Sequence, residues 1–241
     1  AVYNNIKATI SLEGGNYTRS QEAGADADND GGNSWYVIKN FGTMTIKDGV
    51  TVKFPDGKGK YSSLVANGWQ NSATAEAGTN GEPRPSEGGN KATLTISGGK
   101  LTGGQITVKN DDYGVLKITG GEITQTNDSR YAVYNANETT ISGGTIKATG
   151  MSGVAVGTEK FNENANKGDL TISGGVFESK GNVIQGSGGA EITITKGDFS
   201  TTSSNNGYIV YLASDSTAVI SGGTYGGISL SLIHISEPTR R

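Results

Sequence analysis

The chain of 241 residues has no cysteine, a single histidine and little net charge. The absence of cysteine excludes disulfides and thiol chemistry, but it leaves secretion open, since bacterial surface repeats often do without them. No apolar run approaches the ~18 residues of a spanning helix, so no segment reads as crossing a bilayer. Lys and Arg number 20 against 23 Asp and Glu, for a formal net charge of −3. That balance gives no electrostatic case for nucleic acid or for an anionic membrane. Apolar residues make up only 33%, while Gly reaches 39. A globular core of this length wants more apolar residues; a narrow core column inside a large outer surface wants fewer.

What the chain does have is a repeat. Its clearest copy is Leu94-Thr95-Ile96-Ser97-Gly98-Gly99-Lys100-Leu101. Aligned on the second glycine, the copies fall at Gly15, Gly49, Gly99, Gly121, Gly144, Gly175, Gly197 and Gly223. The steps are 34, 50, 22, 23, 31, 22 and 26 residues, a floor of 22 with insertions. A period in this range marks a stacked repeat architecture.

Each copy has one internal logic. Leu94 and Ile96 alternate with Thr95 and Ser97, which is strand period rather than helix period. The glycine pair turns the chain, because glycine takes positive φ without steric cost. One apolar residue then points back inside: Leu101, Ile123, Ile146, Phe177, Phe199 or Tyr225. A third short strand precedes each copy, as in Tyr131-Ala132-Val133-Tyr134 and Tyr208-Ile209-Val210-Tyr211. Three short strands and three corners in ~22 residues make one coil of a parallel β-helix, and the copies imply about eight coils. An antiparallel sandwich with Gly-rich hairpins is the alternative, but it has no reason to repeat one tripartite pattern in register.

The regular domain is expected over residues 1–227, interrupted by polar insertions near 19–34, 67–91 and 158–169. Val2 and Ile10 match Val133 and Ile141, so the chain reads as starting inside a coil, as a piece of a longer protein. Asn40, Asn67, Asn110 and Asn135 recur just after the first strand of a coil, where stacked amides can form a hydrogen-bonded ladder.

Candidate chemistry is sparse. Asp26, Asp28 and Asp30 with Gly31 open like a calcium loop, yet Val37 stands where the bidentate Glu would be, and a solvated acidic loop fits equally. Trp69, and Trp35 in the preceding coil, could stack on a sugar ring or could cover an open core edge. Asp111 and Asp112, with Arg130 as a base, are the available set for polysaccharide cleavage, but adjacent strand residues face opposite ways and turn roles fit these carboxylates.

The units at 94–101, 116–123, 139–146, 170–177, 192–199 and 218–225 resemble those of bacterial cell-surface, adhesin-type proteins with right-handed, pectate-lyase-like parallel β-helices. The resemblance implies an all-β, single-stranded right-handed solenoid in an extracellular or wall-associated setting. Thr139 and Ala218 depart from its first apolar position. Lyases of that fold cluster Asp, Arg and Lys on one face, and no such cluster matches here residue by residue. Residues 230–240, Leu230 to Arg240 with the lone His234, resemble a translated sequencing adapter, so 228–241 is expected to be non-native or unstructured. A native edge strand is the rival reading of that tail. Without His234, Ser-His-Asp triads and His metal sites have no basis.

The expectation is a non-catalytic surface rod or adhesive module, with glycans or host and cell-surface ligands as partners. It needs no cofactor, with calcium at Asp26–Asp30 as the one possible ion. The alternative is a polysaccharide lyase or hydrolase of the same fold. A phage spike would trimerise, and no trimer interface is legible.

Overall fold

A computed structural model describes residues 2–19, 36–55, 59, 62–69, 91–160, 167–203, 207–213 and 215–227. These residues contain no helix, and their strands follow one another coil by coil. Coil 1 holds β1 (Val2–Asn4), β2 (Thr9–Leu12) and β3 (Gly15–Tyr17). Coil 2 holds β4 (Ile38–Asn40), β5 (Thr43–Ile46) and β6 (Val50–Lys53). Coil 3 holds β7 (Val65–Asn67), β8 (Ala92–Ile96) and β9 (Lys100–Thr102). Coil 4 holds β10 (Ile106–Asn110), β11 (Gly114–Ile118) and β12 (Glu122–Gln125). Coil 5 holds β13 (Tyr131–Asn135), β14 (Glu138–Ile141) and β15 (Thr145–Ala148). In coils 6 and 7 the last two strands run through the glycine corner as one: β16 (Val154–Glu159) with β17 (Asp169–Ser179), then β18 (Ile184–Ser187) with β19 (Glu191–Thr201). Coil 8 holds β20 (Val210–Leu212), β21 (Thr217–Ile220) and β22 (Thr224–Gly227).

Every named strand pairing is parallel and joins neighbouring coils. The first strands make an eight-stranded sheet in the order β1-β4-β7-β10-β13-β16-β18-β20. The second and third strands make two further faces, joined into one sheet where β17 and β19 span both. The molecule is a parallel β-helix of eight coils, as the repeat implies.

Its core is built from columns of stacked side chains. On the first face the column is Val2, Ile38, Val65, Val108, Val133, Val156, Ile184 and Val210, all β-branched and in register. β-branched chains suit this setting because their limited rotamers cost little to hold on a pleated surface. The third face stacks Leu101, Ile123, Ile146, Phe177 and Phe199. Its last rings, Phe177, Phe199 and Tyr225, lie nearly parallel with centroids 4.7 and 5.1 Å apart. Each fully buried Leu or Ile contributes roughly 1.5–3 kcal/mol, shared between adjoining coils.

All eight second glycines of the repeat have positive φ, from 81° at Gly49 to 146° at Gly197. The first glycines have a different reason. A Cβ on Gly120, Gly143, Gly174 or Gly222 would sit 2.3–2.5 Å from a carbonyl oxygen of the coil below. That position is closed to side chains by coil-to-coil contact, not by backbone conformation. Lys196 occupies the position in coil 7, and the β17–β19 register shifts there, between Ile172 and Val176.

The asparagine ladder is present and longer than the four expected members. Asn4 donates to Asn40 (2.7 Å), Asn40 to Asn67 (2.7 Å), Asn67 to Asn110 (2.8 Å) and Asn110 to Asn135 (2.9 Å). Asn135 then donates to the Thr158 hydroxyl at 2.9 Å, and Thr158 to the Gly168 carbonyl at 2.9 Å. Thr139, which breaks the apolar column, is satisfied by the ladder: it donates to Asn135 Oδ1 at 2.7 Å. Thr158 and Glu159, expected within an insertion, instead continue β16, because Thr158 is the ladder's next rung.

Two alanine substitutions separate the two demands on a corner glycine. Gly144 has φ 87°, and its Cβ would lie 2.9 Å from the Gly120 carbonyl; Gly189 has φ 82° and open space. Both Gly144→Ala and Gly189→Ala should lose about 1–2 kcal/mol to backbone strain. Gly144→Ala should lose on the order of 1–3 kcal/mol more from coil-to-coil contact, read as a lower urea midpoint. Equal losses would contradict the contact account.

Candidate functional site

The two outer surfaces of the helix differ in kind. The second face presents a row of hydroxyls, Ser11, Thr45, Thr95, Thr140, Thr171 and Thr193, interrupted by Lys117. Beside them Glu138, Asp169 and Glu191 stack in register. Glu138 accepts from Lys167 (2.7 Å) and Lys91 (2.9 Å), which hold its carboxyl below the usual range. Burial raises Asp169, against the pull of Lys167. This is a surface of exposed ion pairs, each worth little.

The first face presents aromatic rings. Its outward row, in register across the eight coils, is Tyr3, Lys39, Ala66, Lys109, Tyr134, Gly157, Gln185 and Tyr211. Gly157 leaves a gap in the row, and the ring of Tyr131 fills it: a Cβ on Gly157 would stand 2.4 Å from Tyr131 Cε1. Tyr131 and Tyr134 pair with centroids 5.4 Å apart, and Tyr208 and Tyr211 pair at 5.8 Å. All four tyrosines are half-buried.

Polar groups lie between the two pairs. The Tyr208 amide donates to Asn182 Oδ1 at 3.0 Å, and Asn182 Nδ2 donates to Gln185 Oε1 at 3.2 Å. The Tyr134 hydroxyl donates to Glu159 Oε2 at 2.8 Å. Burial, then the bond to Glu159, then the charges of Glu159 and Asp111 push the Tyr134 phenol far above its ordinary value. Burial first, then Glu159, raises Tyr131, with Arg130 and Gln185 opposing. Both phenols are therefore neutral donors at physiological pH.

The residues singled out in the sequence are not brought together. Trp69 is 2% exposed, packed between Phe41 (5.0 Å) and Tyr113 (6.3 Å), and its amide donates to the Asp112 carbonyl. Its ring covers a core edge and is closed to a sugar. Asp111 and Asp112 are 3% and 2% exposed, and Asp111 Oδ1 pairs with Lys109 Nζ at 3.0 Å. Arg130 is exposed and precedes β13, whereas Asp111 follows β10; the register Asn110↔Asn135 puts them at opposite ends of the sheet. At 3.3 Å per residue the separation is roughly 20 Å, beyond the reach of an Arg side chain. Asp26, Asp28, Asp30, Trp35 and residues 228–241 lie outside the described residues. Among the described residues, no group of three or more His, Asp or Glu is arranged to hold a metal.

Sequence reasoning missed the tyrosine face, although its signal is plain in hindsight. Tyr131-Ala-Val-Tyr134 and Tyr208-Ile-Val-Tyr211 share one Y-x-x-Y spacing at the first face of two coils. No protein-family model, curated protein or solved structure matches the chain.

The raised phenols set an alkaline signature. A tyrosine whose folded value exceeds its unfolded value of ~10 contributes stability that is complete below that pH and is lost as pH rises through the folded value. An absorbance titration of tyrosinate should therefore show late-ionising rings whose appearance coincides with unfolding. Tyr134→Phe should remove one such step. A titration in which all ten tyrosines ionise together near pH 10 would contradict the burial of these phenols.

Proposed function

We propose that the chain is a non-catalytic, extracellular segment of a bacterial surface protein, a rod whose first face binds glycan. The carrying observation is two tyrosine pairs on the first face, with hydrogen-bonded amides between them, on an otherwise hydroxylated solenoid. Aromatic faces with fixed amides beside them are the chemistry that sugars require, C–H surface against a ring and hydroxyls against polar groups. The repeat resemblance supports the wall-associated or secreted setting. No helix of the described residues is long and apolar enough to cross a membrane.

Cleavage by a lyase or hydrolase of this fold is the second reading. It needs a basic residue beside carboxylates, and Arg130 stands apart from Asp111 and Asp112 while Lys109 is already paired. A calcium ion held by Asp26, Asp28 and Asp30 belongs to either reading.

One screen separates them. The full chain is presented to immobilised neutral and uronic polysaccharides, with calcium and with chelator, while ultraviolet absorbance and reducing ends report product. The expected result is saturable binding with no product. Release of unsaturated or reducing-end product would overturn the non-catalytic reading, and binding abolished by chelator would assign the affinity to the Asp26–Asp30 loop instead.

A further inference from the structure

The tyrosine face has a direction, a length and a charge balance, and together they specify a ligand more narrowly than glycan. From the glycan-binding reading of this face, we infer that it holds a neutral, extended polysaccharide lying along the axis of the rod, with Tyr131/Tyr134 and Tyr208/Tyr211 as two stacking platforms.

Direction comes from the arrangement of the rings. Each pair lies within one coil, and the pairs are three coils apart, by way of β16 and β18. At about 4.8 Å per coil the platforms are roughly 14 Å apart, a span of about three pyranose units of an extended chain. Across the rod the face is only as wide as one short strand, β13 or β20, before the chain turns. A ligand touching both platforms must therefore follow the stack of coils.

The intervening surface is built for hydroxyls. Gly157 contributes no side chain, and Gln185 and Asn182 present amides that are already fixed to each other. Fixing these groups beforehand reduces the ordering cost of binding. Glu159 accepts from Tyr134 and, as a carboxylate, has further acceptor capacity for a sugar hydroxyl.

Charge narrows the class. Lys109 is neutralised by Asp111. Glu159 and Arg130 act on Tyr131 with opposite sign. Lys160 acts on Asp169, round the corner from this face. Glu159, bonded to Tyr134, is the carboxylate on the strip itself, and a uronate chain would bring its own carboxylates against it. A neutral chain meets no such penalty.

The test is calorimetry of the full chain with β-1,4-linked glucose, xylose and mannose oligomers of two to six units, and with galacturonate oligomers of equal length. Affinity for at least one neutral series should climb until four units are reached and then level off, with the galacturonates at least tenfold weaker. Tyr211→Ala should abolish the gain from the longer oligomers. Gly157→Ala removes no ring and has ordinary backbone φ, yet its methyl displaces Tyr131; it should weaken binding roughly five- to tenfold with an unchanged melting temperature. Binding that persists unchanged in Gly157→Ala and Tyr211→Ala overturns the strip while leaving glycan binding intact. Galacturonate binding as tight as neutral binding overturns the ligand class. Binding by the galacturonates alone overturns this inference and leaves glycan binding intact, and no binding by any neutral or galacturonate series overturns both this inference and the reading it rests on.

Discussion

Everything in this molecule depends on how closely one coil can lie on the next. Parallel ladders require about 4.8 Å between strands, and the corners must keep that spacing where no ladder holds them. At the glycine corner this leaves no room for a Cβ, because a carbonyl of the coil below already occupies the space beneath Gly120, Gly143, Gly174 and Gly222. The second glycine of each pair then takes the positive φ that brings the chain round. Coil 7 shows what happens when the first demand is relaxed. Lys196 is accommodated only with a local shift of register, after which Phe177 and Phe199 resume their stack.

The opposite corner solves the same spacing with side chains. The Asn ladder runs one way through six coils, each amide donating to the next, with its remaining hydrogen given to backbone carbonyls such as Thr43, Ala92, Glu138 and Asp169. Buried amides of this kind are costly when unpaired and mutually reinforcing when complete. The ladder and the β-branched column beside it hold the first sheet in strict register. That register is what aligns Lys109, Tyr134, Gly157, Gln185 and Tyr211 on the outside. The recognition proposed for this face rests on core chemistry one residue away.

The repeat, the inward columns, the positive-φ glycines and four of the ladder's asparagines were all legible in the sequence, because each obeys a short local rule repeated at one period. What escaped depends on contacts between coils. The first glycine of each pair looks like half of a turn until the coil below is in place. Thr139 looks like a defect until Asn135 accepts its hydroxyl. Trp69 reads equally as a sugar platform or as a cover for a core edge until Phe41 and Tyr113 close on it. Tyr131 sits at the start of β13 and has no evident direction until Gly157, a coil away, leaves space for its ring. Asp111 and Arg130 are near in sequence distance to one unit, yet a single strand's length separates them.

The central claim, that the outer face of the first sheet is the ligand surface, is tested most directly by the ring resonances of the tyrosines. Selectively labelled protein is titrated with a neutral β-1,4-linked hexasaccharide that the chain binds. The account predicts shifts confined to Tyr131, Tyr134, Tyr208 and Tyr211, with Tyr17 and Tyr225, on the third face, unmoved. Shifts at Tyr17 or Tyr225 with the four-ring face silent would contradict it.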